Sequence, residues 1–295
     1  MALNYDMIDM KHLFLLLTFI LSDSLLAQNK NLVGQLSRNK NLIALWDFKE
    51  PKGEKRKSLL GPYALSEMDG QIERMNEGPL SGYSAKFGHG AYLLLKNDQT
   101  GLLNIHGRQQ GVTVLAWVKW TGETTGFVGG MWNEYLDGGK RQYGLFVSLP
   151  HYNGKNQVCG HISLTGKPTP PFPYSSDYSA SQQEVKANEW TFIAFTYDGE
   201  YIRSYVNGQF QSREKELILN TKGFEGYPDG LIQSKNPYFF PDGIGNNGSD
   251  FTVGAVLLKR GMGNFFKGQI AGLAVFDRAL SQNELYKFEK LSIKN

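Results

Sequence analysis

The chain has 295 residues, 41% hydrophobic and 13% aromatic, a composition too apolar and too aromatic for a disordered chain. Its 31 basic and 28 acidic side chains leave a formal charge of +3, which excludes the charge excess that nucleic acid or an anionic membrane surface would call for. A single cysteine, Cys159, excludes an internal disulfide framework and a thiolate zinc cluster.

The first segment reads as an address. Leu13–Leu21 (LFLLLTFIL) follows Lys11-His12 and runs into Leu25-Leu26-Ala27-Gln28, the layout of a secretory signal peptide, with cleavage expected after Ala27. The apolar run is about half the roughly 20 residues of a spanning helix. Residues 1–27 are therefore expected to direct the chain to the periplasm or the exterior, with no membrane span. Asp6 and Asp9 fit the start of such a segment poorly, and Met10-Lys11-His12 makes a better one. The following stretch, residues 28–41, is rich in Asn and Lys and reads as a flexible leader.

From there short apolar runs recur with turn residues between them: Ile43–Phe48, Ala85–Leu95, Val112–Trp120, Phe127–Trp132, Tyr143–Leu149, Val158–Leu164, Trp190–Tyr197, Tyr201–Val206, Phe251–Leu258 and Gln269–Phe276. These are expected strands. In VTVLAWVKW both alternating series are apolar, which predicts a central strand covered on both faces. Asp198-Gly199 and Asn207-Gly208 supply two-residue hairpin chemistry on either side of YIRSYV. One helix is predicted, Gln282 to about Lys290, with Ser281 as N-cap, Glu284 completing a capping box, and Leu280 and Leu285 as the staple. About ten strands, one terminal helix and no Pro/Gly/Ser-rich linker predict a single all-β antiparallel two-sheet sandwich.

Particular residues carry a resemblance. VTVLAWVKW, WTFIAFTYDGEYIRSYVNGQ, FTVGAVLL and FKGQIAGLAVFDRALSQNEL, with LIALWDF as the opening strand, resemble the laminin-G-like, concanavalin A-like jelly-roll domains of secreted bacterial proteins. The resemblance spans residues 42–291 and is specific for the fold, not for an activity. It implies a ligand face on the concave sheet or its bordering loops, and often a structural Ca2+. Asp47 and Asp277, on the first and last strands, are the two carboxylates that would share such an ion. Otherwise Asp47 ends a strand and Asp277 caps the turn into the helix, paired with Lys49 or Arg278.

The signatures of catalysis on this scaffold are missing. A retaining glucanase resembling these domains carries E-x-D-x-x-E along one strand, so that two carboxyls flank the bond; the chain has no such pattern. The Gln-Ile-His and Tyr-x-Lys-x-Gly-x-Tyr strands of jelly-roll lyases, a G-x-S-x-G elbow and an H-E-x-x-H helix are likewise absent from the sequence. Should a lyase or hydrolase nevertheless reside here, Glu134, His161 and Tyr143 would carry the proton transfers, with Arg141 handling an acidic sugar.

Three segments carry binding chemistry. Gly129–Val147 holds Trp132, Asn133, Glu134, Arg141 and Tyr143. An aromatic platform beside amide, carboxylate and guanidinium groups suits a sugar's apolar face and hydroxyl rim. Gly160–Tyr178 holds His161, then a proline-stiffened loop with Tyr174, Asp177 and Tyr178. Gly226–Asp250, a long insertion, contributes Tyr238. The alternatives are structural: Trp132 as a core residue, Glu134 and Arg141 as an ion pair across a loop, His161 as a satisfied strand histidine, and prolines guarding a sheet edge. The expectation is a monomeric lectin-like domain binding a polysaccharide or other glycoconjugate, with Trp132, Asn133, Glu134, Arg141, Tyr143, His161, Tyr174 and Tyr238 as its site. The alternatives are a polysaccharide-cleaving enzyme and an adhesive module without a sugar pocket.

Overall fold

The computed structural model describes residues 32–88, 90–135, 138–150, 153–170, 172, 174–214, 216–218, 231–233 and 235–293. The expected signal peptide lies outside them. A short helix α1 over residues 32–37 leads into β1 (Leu42–Trp46), β2 (Arg56–Lys57), β3 (Ala64–Met68), β4 (Glu73–Met75), β5 (Ser84–Phe87) and β6 (Tyr92–Leu95). Then come β7 (Val112–Trp120), β8 (Gly126–Met131), β9 (Tyr143–Leu149), β10 (Gly154–Ile162), β11 (Tyr178–Glu184), β12 (Trp190–Tyr197), β13 (Tyr201–Val206) and β14 (Gln209–Phe210). The last part holds β15 (Glu216–Ile218), β16 (Leu231–Gln233), β17 (Tyr238–Phe239), β18 (Phe251–Val253), β19 (Val256–Leu258), β20 (Gly261–Gly263), β21 (Gly268–Phe276) and helix α2 (Gln282–Ile293).

Two large antiparallel sheets form the sandwich. The first runs β14-β13-β12-β7-β21-β5-β4, with β1 on β21 and β17 on β13; the second runs β11-β10-β9-β8-β18-β6-β3-β2. Strand β7 is central, between β12 and β21. Its Val112, Val114, Ala116 and Val118 enter the core between the sheets, while Leu115 and Trp117 join a second apolar layer on the outer face. Both faces are covered, as its sequence requires.

Helices α1 and α2 supply that outer cover. Leu32 and Leu36, four residues apart on one helix face, are fully buried in the same layer as Leu285 and Phe288 of α2. Residues 32–37 of the segment read as a flexible leader are therefore packed helix, because Leu32 and Leu36 fall on one side and Val33 packs against the same layer. The expected strand Ala85–Leu95 is also corrected: β5 ends at Phe87 and β6 begins at Tyr92, the former joining the first sheet and the latter the second.

Asn207 and Gly208 both take positive φ, 50° and 68°, and join Val206 to its partner Gln209 in the two-residue hairpin their chemistry favours. The Asp198 turn is wider than expected, since Tyr197 pairs with Ile202. There the carboxylate of Asp198 accepts from the backbone N–H groups of Glu200 and Tyr201, closing the loop. The capping box at α2 forms: Ser281 N–H donates to Glu284 Oε2 at 2.9 Å and Glu284 N–H donates to Ser281 Oγ at 3.3 Å. Arg278 clamps the same carboxylate and, with Ser281, lowers the Glu284 pKa to about 2. Ser281→Ala is expected to lower stability by about 1 kcal/mol, read as a lower denaturation midpoint. The lowered Glu284 pKa makes its contribution present above the ordinary carboxylate range and lost as pH falls toward 2.

Candidate functional site

The outer face of the second sheet has its own aromatic cluster. Side chains alternate along β10: Val158 and Ile162 enter the core, whereas Cys159 and His161 project outward. There they meet Phe127, Trp132, Phe146, Tyr178 and Ala180 from the neighbouring strands. The His161 ring stacks on Tyr178 at 4.7 Å and 27° between planes, and lies 4.8 Å from the indole of Trp132 and 5.1 Å from Phe146. This box opens into a cavity of about 410 Å3 lined by Trp132, Glu134, Phe146, His161, Tyr174 and Tyr178, among others, with exposed Lys259 and Arg260 of the β19–β20 turn at its rim. Such dimensions and lining suit a small-molecule site.

Around the Glu134 carboxylate the electrostatics are closed. Trp132 Nε1 donates to Glu134 Oε1 at 3.2 Å, and Arg141 Nη2 lies 3.5 Å from Glu134 Oε2, so both carboxylate oxygens are engaged. Burial pushes the Glu134 carboxyl up and the Arg141 guanidinium down, and each partly restores the other. Burial, followed by the positive charges of Arg141 and Lys235, holds the His161 imidazole well below its ordinary range, so it is neutral at physiological pH. A neutral imidazole offers one donor and one acceptor. Neither nitrogen of His161, a residue only 4% exposed, has a hydrogen-bond partner among the described residues, and the Oγ of cavity-lining Ser175 lacks one too.

The loops around the cavity are locked together. Arg141 Nη1 donates to Gly166 O at 2.9 Å, and a Cβ on Gly139, where φ is +110°, would stand 2.2 Å from that oxygen. Backbones approach this closely only because both residues are glycine. Gly139→Ala is expected to push the two loops apart and weaken ligand binding at least tenfold, measured by calorimetry. The proline loop is tied from below: Asp177 accepts from Thr169 Oγ1 and, at 3.0 Å, from the Tyr238 hydroxyl. Burial raises the Asp177 carboxyl and drives the Tyr238 phenol far upward.

Of the expected site, Trp132, Glu134, His161 and Tyr174 converge on the cavity, and Arg141 stands directly behind Glu134. Three residues are corrected. Tyr143 faces the opposite side of β9, in the core, where its hydroxyl donates to Leu103 O at 2.6 Å. Asn133 is a loop-former, its Oδ1 accepting from Tyr135 N–H. Tyr238 is the tether of the proline loop rather than a lining residue. Trp132 is the cavity floor, 2% exposed, not an open shelf; Tyr135, 41% exposed, is the accessible ring at the mouth. With Tyr143 on the far face and no hydrogen bond to His161, the Glu134, His161 and Tyr143 proton-transfer set is not assembled. Sequence reading passed over Phe146, Ser175, Lys259 and Arg260. Only the parity of Phe146 with Gly144 along β9 hinted at an outward ring.

Asp47 and Asp277 do not form a shared ion site. β1 and β21 are paired antiparallel, from Leu42↔Phe276 to Trp46↔Leu273. Asp277 therefore sits beside Asn41, whose Nδ2 donates to it at 2.9 Å, and Asp47 sits beyond the other end of β1, roughly 20 Å away at about 3.3 Å per residue. Asp47 pairs with Lys49 at 3.6 Å. Among the described residues no group of three His, Cys, Asp or Glu side chains is placed to hold a metal.

Comparison with known proteins agrees with this geometry at the level of the fold. No curated protein sequence matches the chain. Among solved structures, domain 4 of AbnA, a GH43 extracellular arabinanase from Geobacillus stearothermophilus in complex with arabinotriose, is 17% identical with a TM-score of 0.51, over 84% of this chain and 98% of that domain. A Trypanosoma rangeli sialidase mutant displaying trans-sialidase activity is 12% identical with a TM-score of 0.50, over 93% of this chain but 40% of its own. Residues 87–223, just under half of the chain, match the concanavalin A-like lectin/glucanases superfamily. The two-sheet antiparallel sandwich is consistent with a concanavalin A-like jelly roll, and the family match over residues 87–223 points to the same fold.

Proposed function

We propose that this chain is a secreted, monomeric carbohydrate-binding module that takes part of a polysaccharide or other glycoconjugate into the cavity on the outer face of its second sheet. The observation that carries the reading is His161: a neutral imidazole walled by Tyr178, Trp132 and Phe146, with neither nitrogen partnered among the described residues. A buried polar ring costs free energy unless something bonds to it, and a sugar hydroxyl both donates and accepts. The apolar walls suit the C–H face of the same ring. The arabinotriose held by the arabinanase domain supports a saccharide as the first class to try.

The test is a glycan array probed with the exported protein, followed by calorimetry on the hits, with arabinotriose and sialic acid included. Tyr174→Ala is expected to weaken the best hit about tenfold, or about 1.4 kcal/mol, with little change in melting temperature. Retention of no glycan would end the reading, and polysaccharide cleavage would replace it with an enzymatic one. Export is checked by N-terminal sequencing, with Gln28 as the expected first residue.

A further inference from the structure

The opposite face of the sandwich holds a second cavity, of about 540 Å3, between the end of α2, strands β7 and β12, and the loop at residues 76–82. Its walls are Trp117, Trp190 and Phe192, the first and last with ring centroids 4.9 Å apart. Most of its polar groups are already satisfied. Glu77 accepts from Gln269 at 2.7 Å and pairs with Lys119, whose Nζ lies 5.9 Å above the Trp190 ring. Two atoms are not. Trp117 Nε1 belongs to a side chain 1% exposed and has no acceptor among the described residues. Glu289 Oε2, on a residue 2% exposed, makes no hydrogen bond among the described residues, where the half-exposed Lys290 ammonium stands 3.6 Å from it.

A buried indole N–H without an acceptor is uncommon, because the group keeps its desolvation cost with nothing in return. Here the Trp117 side chain lines a cavity with an aromatic wall and a carboxylate on the same lining. A ligand completing this site offers an apolar face to Trp117 and Phe192, an acceptor to the indole and a donor to Glu289. A hydroxyl on a saturated ring does both. The charged groups on the lining are already paired, Glu77 with Lys119 and Glu289 with Lys290, so the ligand need bring no charge.

We propose that this second cavity binds a neutral saccharide ring, so that one chain holds two glycan segments on opposite faces of its sandwich. The first cavity lies outside the second sheet and this one outside the first, with the whole core between them. Two sites facing apart cannot both close on one short oligosaccharide; they bridge separate strands, and multivalent glycans gain avidity from the pair.

The chain has five tryptophans, hence five indole N–H signals in a 15N–1H spectrum, and Trp117→Phe assigns the relevant one. Arabinotriose, cellotetraose, xylotetraose and 3′-sialyllactose are each titrated into the protein. The expected result is a saturable shift of the Trp117 indole signal with a neutral probe, retained in His161→Phe and weakened about tenfold or more in Glu289→Gln. Should the Trp117 variant fail to fold, the Glu289→Gln titration followed on Trp190 serves in its place. A Trp117 signal unmoved by every probe overturns the proposal. So does a shift that disappears in His161→Phe, since it would then report only the first cavity. Loss of binding at the first cavity with a retained Trp117 shift would instead refute the function proposed above and leave this site standing.

Discussion

Replacing His161 by phenylalanine is expected to weaken glycan binding at least tenfold while raising the melting temperature. The imidazole occupies a flat slot between Tyr178, Trp132 and Phe146, a place a phenyl ring fills without polar atoms to desolvate. An unsatisfied buried polar group costs about 1–3 kcal/mol. Recovering about 1 kcal/mol of that, after some overpacking, raises Tm by roughly 2–4 °C in a domain of this size. The same change removes the ring whose two nitrogens have no hydrogen-bond partner among the described residues and are the groups proposed to meet a hydroxyl. A fall in both stability and affinity would show that the imidazole is structurally satisfied and would sink its role as a ligand group.

The pH dependence sharpens this test. Unfolded, His161 titrates near its ordinary value, about 6.5; folded, its burial holds it well below. As pH drops through that window the unfolded chain takes up a proton that the native state refuses, so stability is full above about 6.5 and lost below it. Glu134 and Asp177, raised by burial, act in the opposite sense: their contribution is present at low pH and lost as pH rises through their raised values. The difference between wild type and His161→Phe isolates the histidine, and it is expected to widen between pH 7 and 5 in calorimetric melts.

Arg56→Ala is expected to be the most destabilising single change at a distance from the cavity. Arg56 is 1% exposed, and its guanidinium donates to the carbonyls of Pro51, Glu54 and Ile72 and to Glu67 Oε1 at 2.5 to 2.7 Å. Truncation leaves Glu67, 8% exposed at its side chain, as a buried charge facing a void. Breaking one side of such a pair costs about 3–5 kcal/mol, or about 10 °C in Tm, measured by guanidinium unfolding. Glu67→Gln in the same background is expected to return part of the loss. Because β2 lies at the far edge of the second sheet from β11, glycan affinity of the folded fraction is expected to stay unchanged.

Much of the fold could be read from local chemistry. Val112–Trp120, Tyr143–Leu149, Trp190–Tyr197 and Tyr201–Val206 were expected at the bounds observed, because both their apolar patterns and their flanking turns are local. The capping box at Ser281 and Glu284 likewise needs only four residues. What depends on the side a residue faces was harder. Tyr143 and Trp132 sit in the same aromatic segment, but a register shift between Phe127 and Gly129 and the loop between β8 and β9 break the count of alternation. Sequence spacing could not show that one ring enters the core and the other the cavity. Helix α1 was missed because two leucines among Asn and Lys residues are a signal only once a sheet face is there to receive them. Asp47 and Asp277 each follow a strand, β1 and β21, and these two strands do pair, but antiparallel pairing sends the two carboxylates to opposite ends.

Both helices rest on the outer layer of the first sheet, so the described chain enters and leaves the domain on that side. A tether joined before residue 32 or after residue 293, whether a surface, a bead or another folded unit, would crowd the Trp117 face and leave the His161 face pointing away from its anchor. Immobilised through either end, the protein would then capture glycans through one mouth only, and agglutination of glycan-coated particles would require the molecule to be free.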